Sequence, residues 1–328
     1  MRPIIVLLCL SGCLNAATNS ATDWIESLGG SVTKDPHGIV TGVNLRGSWV
    51  TDIDLRKLAE YPALTTIDLS LTHISDEGLA ELKNLRNVTD LNLYYAEYVT
   101  DQGVASIKDW KKLKRLNLHG TKCSDTALEH IAGITSLESL DVGSTLMTDV
   151  GLERLTTLSN LKELTMGGNE LGDAGLQALR QLPTLTYLDL SGRQGTDKNV
   201  WTIAMSTAGL DAVLSLHNLR ELRIGCYAIN VGIEEKKFAE VSATAVLPEW
   251  LDRMRAQLPN LQTVRFQGCG KIDDASIKTL SGMPNLKEAD LRGTGVTEKG
   301  AAALRSAKPG LKLWYGPWEA TAANYRNN

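Results

Sequence analysis

Residues 64–93 read LTTIDLSLTHISDEGLAELKNLRNVTDLNL. The two ends, Leu64-Thr-Thr-Ile67-Asp-Leu69 and Val88-Thr-Asp-Leu91-Asn-Leu93, share one pattern: an apolar residue, two variable positions, then apolar residues in alternation. Alternation at period two predicts a short strand. Between them, Ser75-Asp76 precedes Leu79, Leu82 and Leu85 at three-residue steps, the pattern of a capped helix. A Ser or Thr cap contributes about 1 kcal/mol. The unit recurs along the chain: Val40, Leu64, Val88, Leu113, Leu137, Leu161, Leu185, Leu219, Leu261, Leu286 and Leu311 are spaced by 24, 24, 25, 24, 24, 24, 34, 42, 25 and 25. Such a period is that of a solenoid. The helix-start pair returns as Thr100-Asp101, Ser124-Asp125, Thr148-Asp149, Thr196-Asp197 and Thr297-Glu298.

Composition agrees and narrows the function classes. With 43% apolar and 22% charged residues, the 328-residue chain is globular rather than disordered or collagenous. Two Phe beside seven Trp and eight Tyr leave the core to Leu, Ile and Val. A net charge of −4 lacks the basic excess that phosphate neutralisation needs, so no nucleic-acid partner is expected. Five Cys cannot staple a chain of this length into a disulfide scaffold.

The repeated L-x-x-L-x-L-x-x-[TNC] with a later [ST]-D-x-[GA]-L resembles leucine-rich repeat proteins over about 280 positions, and most of all the cysteine-containing subclass and its bacterial relatives. The stretch from Leu261 through Cys269 to Asp274 matches that subclass best; Thr72, Thr121, Thr145, Asn169 and Thr294 stand where Cys269 does. The resemblance implies an α/β horseshoe solenoid of ten to eleven repeats over 37–318, with a parallel sheet on the concave face and helices on the convex face. Eleven strands would span about 48 Å. The inward Thr, Asn or Cys would bond the backbone of neighbouring turns. Residues 14–36 read as a tether and cap, and Trp24 to Gly38 would cover the first repeat; Trp314, Tyr315 and Trp318 would shield the last, because an array needs capped ends. Residues 319–328 read as a tail.

At the N-terminus, Met1-Arg2 precedes an apolar run, Ile4 to Leu10, too short to span a bilayer. Leu10-Ser-Gly-Cys13 resembles the lipobox of bacterial lipoproteins, which implies that residues 1–13 are a signal segment and that Cys13 is acylated, placing an exported chain at the cell envelope; cleavage near Ala16 or Ala17 would instead secrete it. Asn87-Val-Thr89 fits a glycosylation sequon, relevant only in a eukaryotic secretory host.

Variable positions on the strands point away from the core, so they can be read as columns. The central column runs Asn44, Asp68, Asn92, Asn117, Asp141, Thr165, Asp189, Arg223, Arg265, Asp290, acidic or amidic until Arg appears late. The next runs Arg46, Ser70, Tyr94, His119, Gly143, Gly167, Ser191, Gly225, Gln267, Arg292. Tyr94, Tyr95 and His119 are thereby expected to cluster beside a glycine-lined floor, with Tyr187 two repeats beyond; Tyr suits binding surfaces because it adds contact area at low entropic cost. The long spacings after Leu185 and Leu219 mark enlarged repeats over 185–260, where Arg193 and Tyr227 replace the inward polar residue. Insertions often line a binding side. Asn230 to Pro248 reads either as a projecting flap based on Trp201 and Trp250 or as a lengthened outer helix, since Trp250, Met254 and Leu258 have helical spacing. The candidate ligand-binding set is therefore Tyr94, Tyr95, His119, Asp141, Tyr187, Asp189, Arg193, Arg223, Tyr227 and Arg265.

Enzymatic motifs are lacking: there is no H-E-x-x-H, C-x-x-C, Walker loop or G-x-S-x-G, and the S-x-x-K matches at Ser31 and Ser159 lack companion motifs. The five His show no ligand spacing, so neither a metal nor another cofactor is expected. Cys226 and Cys269 occupy near-equivalent offsets of adjacent units: export would permit a disulfide, while the family resemblance implies a packed thiol at Cys269. An adaptor of the F-box kind would need a further module ahead of the repeats, and residues 14–36 are too few to supply it. The expected activity is capture of a protein or peptide on a lipid-anchored, non-enzymatic scaffold, with a carbohydrate or cell-wall ligand as the alternative.

Overall fold

The computed structural model describes residues 21–192, 194–195, 200–201, 203–226 and 246–317. Among these, twelve strands form one sheet: β1 (Ser31–Lys34), β2 (Val40–Asn44), β3 (Thr66–Asp68), β4 (Asp90–Asn92), β5 (Arg115–Asn117), β6 (Ser139–Asp141), β7 (Glu163–Thr165), β8 (Tyr187–Asp189), β11 (Glu221–Gly225), β12 (Thr263–Gln267), β13 (Glu288–Arg292) and β14 (Lys312–Gly316). A separate two-stranded ladder pairs β9 (Gln194–Gly195) with β10 (Val200–Trp201). From β2 onward every neighbour in the large sheet is parallel and consecutive, with Ile67, Leu91, Leu116, Leu140, Leu164 and Leu188 in direct register. The chain is a leucine-rich repeat solenoid, its helices packed behind the sheet. Strand β1, antiparallel to β2, was not anticipated; with the short helix α1 (Asp23–Ser27) it lays Ile25 into the first turn of the core.

The helix-start pair has a role beyond capping its own helix. Ser75 does accept a hydrogen bond from Glu77 N, as a cap should. The Asp beside each cap instead serves the next unit: Asp76 accepts from Thr100 N at 2.8 Å, Thr100 Oγ1 at 2.7 Å and Gly103 N at 2.9 Å. The same link joins Asp52 to Ser75, Asp101 to Ser124, Asp125 to Thr148, Asp173 to Ser206 and Asp274 to Thr297. It accounts for the glycine three residues after most of the caps; three after Ser124 the position is Ala127, whose N–H still donates to Asp101 at 3.2 Å. A Cβ on Gly78, Gly103, Gly151, Gly175, Gly209 or Gly300 would strike the carboxylate of the unit before. Where the preceding unit offers no such Asp, the position holds a larger residue, Asp54, Trp250 or Ser276.

Other expectations are corrected. The inward Thr72, Thr121, Thr145 and Thr294 bond the carbonyl three residues back in their own unit; the Thr145 hydroxyl also meets Asn169 Oδ1 of the next unit at 2.9 Å, and Asn169 reaches the backbone of the unit before, at Val142 O, 2.7 Å away. Among the described residues, the cap in the first enlarged unit is Ser206, ahead of a helix at Thr207–Val213; Thr196 and Asp197 lie outside the described residues. In β14 the alternation turns Leu313 and Tyr315 toward the core, so Trp314 faces the opposite side, 40% exposed, and does not shield the array's end. Trp318, the tail 319–328 and the leader with Cys13 lie outside the described residues. So do Arg193, Tyr227 and the insert through residue 245. Immediately after it, Pro248–Gln257 is a helix with Trp250, Leu251 and Met254 buried, so Trp250 belongs to an outer helix packed on the core.

Candidate functional site

Seven residues of the central column share one local device. Asn44, Asp68, Asn92, Asn117, Asp141, Asp189 and Asp290 each accept, through Oδ1, the backbone N–H two residues on, at 2.8–3.2 Å. That N–H leaves the strand ladder at the turn, and a short Asx side chain is the nearest acceptor. The bond fixes each side chain; in the buried Asp189 and Asp290 the second oxygen is taken up by Tyr187 and by Arg292.

From β2 to β8 the open face of the sheet encloses a groove of about 590 Å³. Its charged lining comprises Asp68, Asp90, Asp141 and Glu163 against Arg115, and Arg115 is already engaged through Nε by Asp90. No protein partner of the second carboxylate oxygen of Asp68 or Asp141 is found among the described residues. The groove is therefore acidic and amidic, with polar atoms held in place.

The C-terminal half of the same face has different chemistry. Arg223 contacts Glu221 at 2.8 Å and Asp189 at 3.5 Å; Arg265 contacts Glu288 at 2.6 Å; Arg292 pairs with Asp290 at 2.6 Å. Charges alternate along this ladder and neutralise one another. Burial raises the Asp189 carboxyl above its ordinary value despite hydrogen bonds from Ser191 and the nearby Arg223. At Asp290 burial acts in the same sense but is outweighed by the hydrogen bonds from Arg292, which hold the carboxyl low. Tyr187, expected further along the sheet from the Tyr94 cluster, belongs to this network: its hydroxyl donates to Asp189 at 3.2 Å and Arg223 lies 5.1 Å from its ring centre. Burial raises the Tyr187 phenol well above its ordinary value.

Tyr94, Tyr95 and His119 do come together, with ring centres 4.7 Å apart for the tyrosine pair and 5.2 and 5.7 Å from each tyrosine to the imidazole. Nδ1 of His119 lies 3.2 Å from Asp141 Oδ1, tying the cluster to the groove. Burial raises the Tyr94 phenol above its ordinary value. The glycines beside the cluster are not an open floor. The His119 ring covers Gly143, and the Ser191 carbonyl covers Gly167 so closely that a side chain there would overlap it.

Two features escaped sequence reasoning. Trp49, His73 and Tyr98 hold equivalent places in successive turns and form a row, with ring centres 6.5 and 5.8 Å apart; Trp49 is 81% and Tyr98 53% exposed. Lys122 in the next turn lies 5.7 Å from the Tyr98 ring. The near-equal spacing of these positions from the end of each strand, with Tyr98 one residue further on than Trp49 and His73, was the available signal. The second feature is backbone: the turn residue that is left-handed Gly47, Gly120, Gly168, Gly268 or Gly293 in other units is Leu71 (φ 57°), Tyr95 (φ 52°) and Ser144 (φ 49°) here. Left-handed backbone costs a residue with a side chain about 1–2 kcal/mol. Such strain persists where the rest of the fold enforces it, often at functional surfaces.

The sulfurs of Cys226 and Cys269 are joined in a disulfide across β11 and β12, with their Cα atoms 4.7 Å apart. Of the two roles open to Cys269, the structure thus takes the cross-link. Cys123 is a buried free thiol pushed up to about 12 by burial. Among the described residues no group of three or more His, Cys, Asp or Glu is placed to hold a metal, and no helix is long and apolar enough to cross a membrane.

Comparison with known proteins agrees with the repeat architecture. Family models described as leucine rich repeat match residues 135–194 and 62–83. Among solved structures, the chain is similar to internalin C2 of Listeria monocytogenes, with 25% identity, a TM-score of 0.43, and 56% of this chain and 71% of that chain covered. It is also similar to an internalin (inlF) of the same organism, with 17% identity, a TM-score of 0.49, and 92% and 94% covered. No curated protein sequence matches it. Residues 62–83 and 135–194 are leucine-rich repeats, and the same strand, turn and helix unit runs through the solenoid on either side of them.

Proposed function

We propose that this chain is an exported, non-enzymatic scaffold, tethered to a membrane by lipid at Cys13, that holds a protein or peptide on the N-terminal half of its concave sheet. One observation carries the binding reading: along a single sheet face, β2 to β8 leave fixed polar atoms open over a groove, whereas β8 to β13 spend theirs on one another. Groups already paired must break contacts to bind, and fixed unpaired groups need not. The aromatic cluster at Tyr94, Tyr95 and His119 adds the residue types that enrich binding surfaces. A disulfide between Cys226 and Cys269 is in keeping with an oxidising compartment, and so with export.

Photo-crosslinking tests the binding reading. A benzoylphenylalanine at Asn92, in the groove, is expected to yield a discrete adduct in cells of the source organism, and one at Gln102, on the outer helix Asp101–Ser106, is not. Equal labelling at both positions would contradict it. Export and anchoring are tested by intact mass and membrane partitioning of wild type against Cys13→Ser made in a bacterium. Acylation lost in the variant supports the tether; an unprocessed cytosolic chain overturns it. The aromatic cluster, with Tyr94 stacked on His119 and Tyr95 edge-on to Tyr94, also favours a second reading, a carbohydrate ligand held by ring stacking. A glycan array with Tyr94→Ala as control separates the two.

A further inference from the structure

The partner's chemistry can be narrowed from the surface that the groove adjoins. Leu71 and Tyr95 adopt left-handed backbone where glycine serves elsewhere, and their side chains remain 44% and 37% exposed. The fold thus tolerates strain to display two apolar side chains that the core does not use. The same turns carry the exposed row of Trp49, His73 and Tyr98, so the N-terminal units present an apolar strip along one edge of the sheet. Strips of this kind mark contact surfaces on soluble domains. Tyr95 joins strip to groove, its ring 4.7 Å from that of Tyr94, which follows the groove residue Asn92 by two positions.

The groove supplies the complementary half. Asp68 on β3 and Asp141 on β6 each keep one carboxylate oxygen unpartnered among the described residues, and Arg115 between them is engaged by Asp90. Three strand steps separate the two carboxylates, about 14 Å at about 4.8 Å per step, and four residues of extended chain cover about the same distance. Resting on the concave-face reading above, we infer that the partner contributes an extended basic segment lying across the strands. Lys or Arg side chains four positions apart meet Asp68 and Asp141, and a neighbouring aliphatic or aromatic side chain seats on the edge at Leu71, Tyr95 and Trp49.

Selection of a random peptide library displayed on phage against the full chain tests this. Peptides that depend on the groove are expected to carry two basic residues four apart beside an aromatic or aliphatic one. By fluorescence anisotropy, Asp68→Asn with Asp141→Asn should weaken them at least about tenfold, and so should raising the salt, which screens exposed charge. Leu71→Gly with Tyr95→Gly should weaken them similarly while leaving the melting temperature unchanged or higher, a separation that loss of fold would not produce. Groove-dependent peptides that are neutral or acidic, or that ignore the two glycine substitutions, would overturn this inference and leave the concave-face reading standing. Selected peptides indifferent to every groove substitution, or no enrichment at all, would overturn both.

Discussion

The imidazole of His119 occupies the space that a side chain on Gly143 would need: a Cβ there would lie 2.5 Å from His119 Nδ1. Gly143 N and His119 Nδ1 meet the same oxygen, Asp141 Oδ1, at 2.8 and 3.2 Å. A glycine in one repeat therefore seats the histidine of the repeat before. Gly143→Ala is expected to displace the ring, changing the His119 imidazole signals in an NMR spectrum and weakening ligand capture. Unfolding midpoints should move little, because the displaced group is a partly exposed side chain. An unchanged His119 environment would refute this role of Gly143.

The link from Asp76 to the next unit makes a stability prediction. Asp76→Ala leaves the N–H and the hydroxyl of Thr100 without their carboxylate acceptor and Gly103 N with the Thr100 carbonyl alone, and should lower stability by about 2 kcal/mol in urea unfolding. Pairing it with Gly103→Ala should cost less than the two single substitutions summed, since the carboxylate that collides with the new methyl is gone.

Thiol chemistry distinguishes the cysteines. Cys123, buried and with its thiol at about 12, should resist alkylation in the native protein and react on unfolding. Cys226 and Cys269 should be protected until reductant is added. The bond spans a sequence separation of 43, so on the chain-entropy account reduction should lower stability by up to about 4 kcal/mol. Alkylation of either residue without reductant would refute the cross-link.

Two buried carboxylates should give opposite pH behaviour. Asp290, held below its ordinary 3.8, contributes stability that is present above that value and lost as pH falls through its lower folded value. Asp189, raised above 3.8, acts the other way: its ionisation costs stability as pH rises through its higher folded value. Asp290→Asn should therefore destabilise at pH 7 and converge with wild type in strong acid. Asp189→Asn should be neutral or stabilising at pH 7. Melting temperatures across pH read both; equal destabilisation by the two substitutions at pH 7 would contradict the account.

Much of this was legible from residue spacing, and the limits have physical causes. Alternation set the strands, and the open-face column from Asn44 to Asp290 lies where the strand period puts it. The service of Asp76 to Thr100 was not legible, because a cap is recognised within one unit and this contact exists only between stacked units. Its trace was present in the sequence, as Gly103 after Asp76 and Trp250 after a unit without such an Asp. The partners of Tyr187 were not legible, because residue spacing says which way a side chain points and not which charge it leans on; Asp189 and Arg223 draw it toward the paired half. Leu71 and Tyr95 follow the turn that other units build with glycine, and only the backbone angle reveals what that costs.

The central claim is that binding belongs to the open half of the sheet face and not to the paired half. The dissociation constant of a peptide recovered by display, measured for Asp68→Asn with Asp141→Asn and for Arg223→Gln with Arg265→Gln, tests it most directly. The account expects the first pair to weaken binding at least about tenfold and the second to leave it within about twofold, the difference corresponding to about 1 kcal/mol. The reverse order, or equal loss in both, would contradict it.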